Sequence, residues 1–450
     1  MQFELTSELL NSLKENIEEK NASFLKEQLH DLYPQDIALI INQLRLEEAA
    51  YIYELLDDDT APDVLLELDD DKREDLLTTF SSKEIAEQLD NMDSDDAADV
   101  ISELPENIQE EVLSHIEDIG QASDIAELIN YEEGTAGSLM AKELVSVYAF
   151  ETVTACIEEI RYQAHNVDVM YAVYVVDDNE RLIGIISLKK LIISHPLARV
   201  EEICEPDVQY VKTSAKSEEV SEIMQKYDLV VLPVVDQLDR LVGRITIDDV
   251  VDVIRENAEE SIQLMSGISN DVDSNDRLWV SAKARIPWLL VGMCGGIAGS
   301  RIIGSYESEI MIHPEMAYFI PLIGAMGGNV GVQSSSIIVQ GLANNTLIGT
   351  NIAPKLFKEL SVGMVNGLIC STLIWGYAFF TEDWQLAATV SLALFTVILC
   401  ASFLGTFVPL TMNRFKVNPA LATGPFVTTL NDIIGITIYF LMGRMLYEAF

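Results

Sequence analysis

The order of apolar and polar residues divides the chain into three kinds of sequence. Over residues 1–135, apolar residues recur at i, i+3 and i+4 in short segments such as 34–44, 61–68 and 95–105, which acidic or proline-containing turns separate. This spacing is typical of short amphipathic helices that each bury one face. Because a leucine-rich helix followed by an acidic turn recurs as far as Ile129, we expect the helices to stack into a small superhelix.

Between residues 138 and about 256 the pattern changes to alternating apolar residues, which is typical of half-buried strands. A strand, a helix and two further strands are predicted at 144–148, 152–163, 171–176 and 182–187, followed by a second helix. The same order returns at 208–212, 218–227, 230–235 and 241–246, with a helix from Asp248. Two copies of one unit about 60 residues apart indicate an internal duplication.

Five apolar segments follow, at residues 286–305, 313–342, 360–380, 384–412 and 421–450. Each has about the 20 residues that a helix needs to cross a bilayer. Basic residues lie in the segments 283–285, 355–358 and 414–416, whereas the opposite loops, 306–309 and 381–383, carry only acids. By the positive-inside rule, we expect a multi-pass protein of the cell (inner) membrane, with a cytosolic N-terminal half and the C-terminus outside.

Charge is distributed as unevenly as hydropathy. The chain has 73 acidic and 28 basic residues, and 62 of the acids and 19 of the bases precede residue 271. An acidic, soluble half is therefore joined to an almost neutral, apolar half. This acidity argues against nucleic acid as a partner, because phosphate binding needs a basic surface. It suits divalent cations, whose hard charge prefers carboxylate oxygens.

One acid, Asp432, lies deep within a predicted span, where a charged carboxylate costs several kcal/mol unless water, a cation or a partner charge stabilises it. Thr428 lies one helical turn earlier, Thr429 lies beside it, and Gly424 with Pro425 interrupts the sequence upstream. One interpretation is a protonated aspartate hydrogen-bonded within a helix bundle. The polar neighbours and the Gly-Pro pair favour the other, an ion pathway through the membrane.

The second span is unusually rich in glycine and polar residues, with Gly324, Gly327, Gly328, Asn329 and Gln333 in one stretch. Such residues are poor partners for lipid and predict a broken helix that lines water with carbonyl and amide groups. Tight helix packing is the alternative, and it explains the glycines but not Asn329 and Gln333. Elsewhere, small residues four apart predict close helix packing at Gly292 and Gly296, Gly295 and Gly299, and Gly363 and Gly367.

The helix predicted after the duplicated unit, residues 248–265, carries a stripe of carboxylates on one face, formed by Asp249, Asp252, Glu256, Glu259 and Glu260. Like charges at this spacing repel, so a cation such as Mg²⁺ or Ca²⁺ is the favoured neutraliser, and a solvated acidic helix is the alternative. The acids of the N-terminal turns, including Asp93, Asp95 and Asp96, are most simply explained as solvated helix starts.

The duplicated unit resembles a pair of CBS domains, because residues 181–188 match residues 240–247 in the most recognisable segment of that fold. Such pairs often bind an adenine nucleotide such as ATP, and a Thr/Ser-x-x-Asp sequence meets the ribose. Thr246 and Asp249 fit this spacing, whereas Ser187 is followed by Lys190, so the resemblance implies a single nucleotide site. A pair that serves only dimerisation and relay is the alternative.

The second and last spans extend the resemblance to the whole chain. Gly-Gly-Asn-x-Gly-x-Gln at 327–333 and Gly-Pro-x-x-Thr-Thr-x-x-Asp at 424–432, together with the CBS pair and the acidic helical region, resemble the MgtE family of magnesium channels. The resemblance implies a homodimer with five spans per subunit, in which Asp432 of both subunits meets hydrated Mg²⁺ at the interface. It implies a multidomain fold with an α-helical superhelical N-domain (1–135), tandem α/β CBS domains (138–200 and 201–256), a connecting plug helix (249–270) and a five-helix α transmembrane domain (278–450).

In that family, cytosolic Mg²⁺ bound among the soluble acids holds the pore shut. The matching positions are Glu218, Asp228, Asp249, Asp252, Glu260, and Asp93 to Asp96. Val332, Asn418 and Asn257 depart from the family pattern. The alternatives to a magnesium channel are a transporter of Co²⁺, Ni²⁺ or Mn²⁺ and a membrane-anchored nucleotide sensor without a pore. We do not expect an enzyme, because an intramembrane aspartyl hydrolase would need a second carboxylate.

Overall fold

The computed structural model describes residues 3–167, 169–269, 272, 278–343 and 352–449. The chain divides into two compact units, Met1–Ile254 and Arg255–Phe450. Below, the first is called the soluble unit and the second the membrane unit.

The soluble unit begins with ten short helices. Side-chain caps start several of them, for example Thr6, which accepts from Leu9 N, and Ser81, which forms a capping box with Glu84. Helices two apart in sequence pack on each other, α3 on α5, α5 on α7 and α7 on α9. This regular stacking confirms the predicted superhelix. The helices are α1 Ser7–Glu18, α2 Ala22–Leu29, α3 Pro34–Asn42, α4 Leu46–Tyr53, α5 Ala61–Leu66, α6 Asp70–Leu77, α7 Ser82–Leu89, α8 Ser94–Ser102, α9 Glu106–Leu113 and α10 Ile119–Leu128.

Two three-stranded sheets follow, and the second repeats the first. In each, the first two strands are parallel and the last two antiparallel. Tyr174 pairs with Ile185 in the first sheet, and Pro233 pairs with Arg244 in the second. The duplication is therefore confirmed. The elements are β1 Ser146–Tyr148, α11 Val153–Gln163, β2 Val173–Val176, β3 Leu182–Ile186, α12 Leu188–Ile193, α13 Val200–Ile203, β4 Val211–Lys212, α14 Ser217–Tyr227, β5 Val231–Val235, β6 Leu241–Thr246 and α15 Ile247–Ser266.

Within its described residues, the membrane unit contains five helical segments long and apolar enough to cross a bilayer, as predicted. α20 lies at the centre and packs on α18, α19 and α21, while α16 packs on α21. Large apolar side chains on α16 and α19, such as Leu289 and Phe357, are exposed, as expected of surfaces that meet lipid or another subunit. The helices are α16 Leu278–Ser305, α17 Glu307–Ile312, α18 Ile320–Ala343, α19 Ile352–Thr381, α20 Trp384–Arg414 and α21 Gly424–Ala449, with 3₁₀ turns at Pro314–Phe319 and Pro419–Ala422.

The prediction of a broken second span is wrong, because α18 is one continuous helix. Its glycines allow close packing instead. A methyl group on Gly327 would press against Val397 of α20, and one on Gly331 would overlap the Asn431 side chain of α21. Pro321 lies in the first turn of α18, where a missing N–H leaves no helical hydrogen bond unmade.

Of the other pairs of small residues, two lie at contacts between helices and one does not. Gly295 and Gly299 pack against α21, and Gly363 and Gly367 pack against α20. Gly292 and Gly296 have open space where a Cβ atom would stand. Gly292 and Gly296 therefore do not mediate helix packing among the described residues of this chain.

Candidate functional site

An open cavity of about 810 Å³ lies in the membrane unit between α16, α18 and α21. Its walls are mainly glycine and aliphatic residues with a few polar groups, and neither His nor Cys is among the lining residues. They are Gly292, Gly295, Gly296, Gly299, Ser300, Ile303, Ile320, Pro321, Gly324, Ala325, Gly328, Asn329, Val332, Gln333, Thr428, Thr429, Asp432 and Ile436. The few polar side chains among these small residues could orient a polar solute.

Among the described residues, Asp432 is the one charged residue that lines this cavity. Its side chain is half-buried on α21 and faces α18, where methyl groups on Gly324 or Gly328 would each lie 3.6 Å from Asp432 Oδ1. Within the described part of the chain, no donor hydrogen-bonds the carboxylate and no basic group pairs with it. The hydroxyl of Thr428 donates to Gly424 O at 2.8 Å instead. The carboxylate oxygens are thus left open to the cavity.

The residues predicted to line a pore separate into two groups. Gly324, Gly328, Asn329, Gln333, Thr428 and Thr429 line the cavity with Asp432. Gly327, Gly424 and Pro425 do not line it, because Gly327 packs on α20 and the other two lie at the start of α21.

The start of α21 meets the C-terminal end of α15. Gly424 adopts a positive φ of 53°, and a Cβ atom there would collide with Met265 O. A Cβ on Gly267 would in turn press on Pro425. Leu264, Val339 and Ala420 form a small buried cluster at the same place. The end of the predicted plug helix therefore packs on the helix that carries Asp432.

A second concentration of acids lies in the soluble unit. Oxygen atoms of Asp93, Asp95 and Glu143 lie within 4.8 Å of one another, a spacing at which they could hold a metal ion. Asp93 is the N-cap residue of α8. The next residue, Ser94, donates from its N and Oγ to the two oxygens of Glu143 at 3.1 Å and 2.9 Å. The start of α8 thus fixes these carboxylates, and the helix dipole favours negative charge there.

Asp96 and Asp249 extend this group, and the five residues Asp93, Asp95, Asp96, Glu143 and Asp249 are called the acidic cluster below. Burial, followed by the charges of Asp249 and Asp93, raises the pKa of Asp96 to about 7. Burial and the charge of Asp96 raise the pKa of Asp95 well above its usual range. These shifts show that ionised acids repel one another here. Several carboxylate oxygens in one place fit a hard divalent cation such as Mg²⁺, which would relieve the repulsion.

Thr246 and Asp249 are joined by two hydrogen bonds. The N and Oγ1 of Thr246 donate to Asp249 Oδ2 at 3.0 Å and 2.6 Å. Burial raises the pKa of Asp249 despite these two bonds. In the structure, the pair predicted to meet a ribose orders the start of α15 and belongs to the acidic cluster.

The remaining predicted acids lie apart from this cluster. Glu218 and Asp228, at the two ends of α14, are exposed, as are Asp252, Glu256, Glu259 and Glu260 along α15. Glu259 accepts from Arg255 Nε at 2.9 Å. The carboxylate stripe is thus partly neutralised by its own helix.

The sequence pattern did not single out three charged residues, of which Glu143 belongs to the acidic cluster, Arg244 lies beside it and Glu359 is buried in the membrane unit. Glu143 lies in a loop without periodicity, so no pattern pointed to it. Arg244 stands beside Asp93, and the signal was present, because Ile185 occupies the same place in the first repeat. Glu359 is buried in α19, which begins at Ile352, eight residues before the predicted span.

Comparison with known proteins covers most of the chain. Residues 320–442 match the family model described as a divalent cation transporter, residues 32–134 match the MgtE intracellular N domain, and residues 136–194 and 200–256 match the CBS domain. The magnesium transporter MgtE of Thermus thermophilus is 33% identical over 99% of this chain and 100% of its own length. That of Bacillus subtilis is 28% identical over 92% of this chain and 91% of its own length.

A solved structure, the cytosolic domain of the Mg²⁺ channel MgtE in complex with ATP, is 35% identical with a TM-score of 0.51. It covers 54% of this chain and 99% of that chain. The relatives are named as transporters rather than enzymes, and their match includes the membrane helices as well as the soluble domains. The chain belongs to the MgtE family of membrane-embedded magnesium transporters.

Proposed function

We propose that this protein is a Mg²⁺ channel that admits magnesium into the cytosol and that cytosolic Mg²⁺ closes it. The observation that carries the proposal is the carboxylate of Asp432, which has no donor or basic partner among the described residues and faces an open cavity in the membrane unit. The names of the relatives, which are magnesium transporters, support Mg²⁺ as the transported ion.

The cavity suits an ion that keeps its water. Mg²⁺ dehydrates reluctantly, so a pathway for it should be wide and should offer oxygen atoms to the water shell. Gly324 and Gly328 leave room opposite Asp432, while Asn329, Gln333 and Thr429 add neutral polar groups to the walls. Asp432 attracts the cation and repels anions. The carboxylate stays ionised because the passing ion stabilises its charge.

We further propose that the pathway forms in a homodimer, with the two copies of Asp432 facing each other. Support comes from α16, which lines the cavity and whose most apolar stretch has only 6% of its residues buried within the chain. A second subunit would cover this side. We also propose that the soluble unit lies in the cytosol and the C-terminus outside. The basic residues at 283–285, 355–358 and 414–416 support this orientation by the positive-inside rule.

Regulation is proposed to use the acidic cluster, with Glu218, Asp228, Asp252, Glu256, Glu259 and Glu260 as further cation ligands. Mg²⁺ binds more tightly where carboxylates are already held together, so the ion favours a compact form of the soluble unit. The end of α15, which packs on the start of α21, would transmit this preference to the helix of Asp432.

A nucleotide site in the CBS pair is a separate proposal. The relative's cytosolic domain was crystallised with ATP, and Thr246 with Asp249 retains the Thr-x-x-Asp spacing. Since these two side chains bond each other, a nucleotide ribose would have to compete for the Asp249 carboxylate. ATP and Mg²⁺ would then act on one group.

Flux from purified protein tests the proposed function. Protein in liposomes that contain a Mg²⁺-sensitive dye should give a Mg²⁺ influx that empty liposomes lack. Added Co²⁺ or Ni²⁺ should compete less well than Mg²⁺ itself, because the lining has no His or Cys ligand. Mn²⁺, which also prefers oxygen ligands, is compared in the same assay. Absence of flux would favour the membrane-anchored sensor, and stronger competition by a softer metal would reassign the substrate.

A further inference from the structure

A buried basic side chain lies beside the acidic cluster. Arg244, in β6, has 5% of its surface exposed. Its Nη2 is 3.7 Å from Asp93 Oδ2, at the start of α8. Its Nη1 donates to Val169 O at 2.8 Å, in the segment before β2. One guanidinium therefore joins the N-terminal helical region to both repeats of the CBS pair.

Ordinary sheet packing does not account for a charge at this position. Arg244 Nε is buried without a hydrogen-bond partner, and so is the hydroxyl of Tyr174, which lines the same small void. Burying an unsatisfied donor on a charged group costs free energy. The first repeat shows the apolar solution, because Ile185 has the equivalent place in β3. The second repeat thus carries an arginine where packing alone favours an aliphatic residue.

The arginine acts on the same carboxylates that the ion is proposed to bind. It lies against Asp93, and its charge opposes the rise that burial causes in the pKa of Asp249. Lys142, the neighbouring base, is directed away to Glu127, at 2.9 Å. Arg244 is therefore well placed to offset the repulsion within the acidic cluster.

We propose that Arg244 is a tethered counter-ion, which partly opposes the separation of the N-terminal helical region from the second CBS repeat that low Mg²⁺ favours. The proposal rests on the regulatory role proposed above. Because the guanidinium and Mg²⁺ neutralise the same carboxylates, each weakens the effect of the other, and the coupling is reciprocal. Loss of Arg244 thus makes the compact form more dependent on the ion, and the arginine sets the Mg²⁺ range over which the soluble unit responds.

Cleavage at Lys142 by the protease Lys-C, applied to the full-length protein in detergent, reports on this contact. The Lys142 side chain is 12% exposed, and its backbone N donates to Ser94 Oγ at 3.0 Å. The protease can reach this bond only after the helical region moves away. Arg244→Met removes the charge at similar volume, and Arg244→Ile introduces the residue of the first repeat. Arg240→Met is the matched control, because Arg240 is half-exposed and pairs with Asp236 at 2.7 Å, outside the cluster.

In EDTA, both Arg244 variants should be cut at Lys142 about tenfold faster than the wild type, as expected for loss of a half-buried charge pair and of the Arg244 bond to Val169 O. The Arg240 variant should be cut at the wild-type rate, and Arg244→Lys should recover most of the protection. At saturating Mg²⁺, both Arg244 variants should be as protected as the wild type. That protection also verifies that they fold.

Equal cleavage of wild type and Arg244 variants in EDTA would overturn the role of Arg244 and leave the regulatory proposal standing if Mg²⁺ protects both. Rapid cleavage of the variants even at saturating Mg²⁺ would also overturn it, since it would show a structural role alone. If Mg²⁺ protects Lys142 from cleavage neither in the wild type nor in any variant, the regulatory proposal itself fails.

Discussion

The two acidic regions of the molecule accommodate negative charge in opposite ways. The acidic cluster of the soluble unit crowds five carboxylates together and holds them with Ser94, Thr246 and Arg244. Asp432 stands alone in the membrane unit and has no such partner within the described residues. A group of preorganised carboxylates retains a divalent ion, whereas a single carboxylate beside open space leaves the water shell intact. Under the proposed function, the first arrangement would sense the ion and the second would let it pass.

The largest effect is expected from Asp432→Asn, which keeps the size of the side chain and removes its charge. Mg²⁺ flux should fall by about 100-fold or more, because the amide no longer attracts a hydrated cation within the membrane. Liposome flux measures this. Asp383→Asn is the control, since Asp383 is exposed in the loop before α20. Wild-type flux in the Asp432 variant would contradict the proposed role of Asp432 in the ion pathway.

Substitutions in the acidic cluster should affect the inhibition of flux by Mg²⁺ and not the flux itself. Replacing Asp95, Asp96 and Asp249 together with Asn should shift the Mg²⁺ concentration that inhibits flux upward by about tenfold or more, since metal ligands are lost. Flux at low internal Mg²⁺ should remain. Without metal, the thermal stability of the soluble unit should rise, because its mutual repulsion is removed. Unchanged inhibition would contradict the sensor role of the cluster.

The position of Asp432 depends on close packing between α18 and α21, and Gly331→Ala tests this dependence. A methyl group there would overlap Asn431, the residue before Asp432. We expect a loss of about 1–3 kcal/mol in stability, seen as a lower unfolding temperature in detergent, together with reduced flux. Gly376→Ala, whose Cβ would meet open space, should not destabilise. Equal behaviour of the two variants would show that the packing is loose.

The last effect concerns pH. The pKa of Asp96 is about 7 in the folded unit against an ordinary 3.8, so between these values the folded form binds more protons than the unfolded form. The contribution of Asp96 to stability without metal should therefore fall as pH rises from about 4 to about 7. Mg²⁺ needs ionised ligands, so its stabilising effect should grow over the same range. Unfolding temperatures with EDTA and with Mg²⁺, from pH 5 to pH 8, measure the difference.

Much of the architecture could be predicted because it follows from local pattern. Apolar periodicity, hydropathy and the duplicated segments 181–188 and 240–247 specify the superhelix, the five spans and the paired sheets without knowledge of long-range contacts. The prominence of Asp432 was equally visible, since a lone acid in an apolar helix stands out from the sequence alone.

The remainder depended on contacts between distant segments. The glycines of α18 could not be assigned to a break or to packing until Val397 and Asn431 were seen beside them. Glu143 joins Asp93 only through folding, about 50 residues apart in sequence. Arg244 shows a different limit. The sequence shows that Arg244 replaces the Ile185 of the first repeat. Its role could be inferred only once the nearby carboxylates were seen in the fold.

The most direct test of the central claim is whether Mg²⁺ occupies the cavity beside Asp432. In a variant without the five native cysteines, Thr428→Cys places a thiol on the cavity wall, and Thr372→Cys places one on the exposed side of α19 as a control. A charged, water-soluble thiol reagent should modify the first and not the second. Mg²⁺ should slow that modification several-fold, and Asp432→Asn should abolish the slowing. A thiol at 428 that is inaccessible, or slowing by Mg²⁺ that persists without the Asp432 charge, would contradict the account.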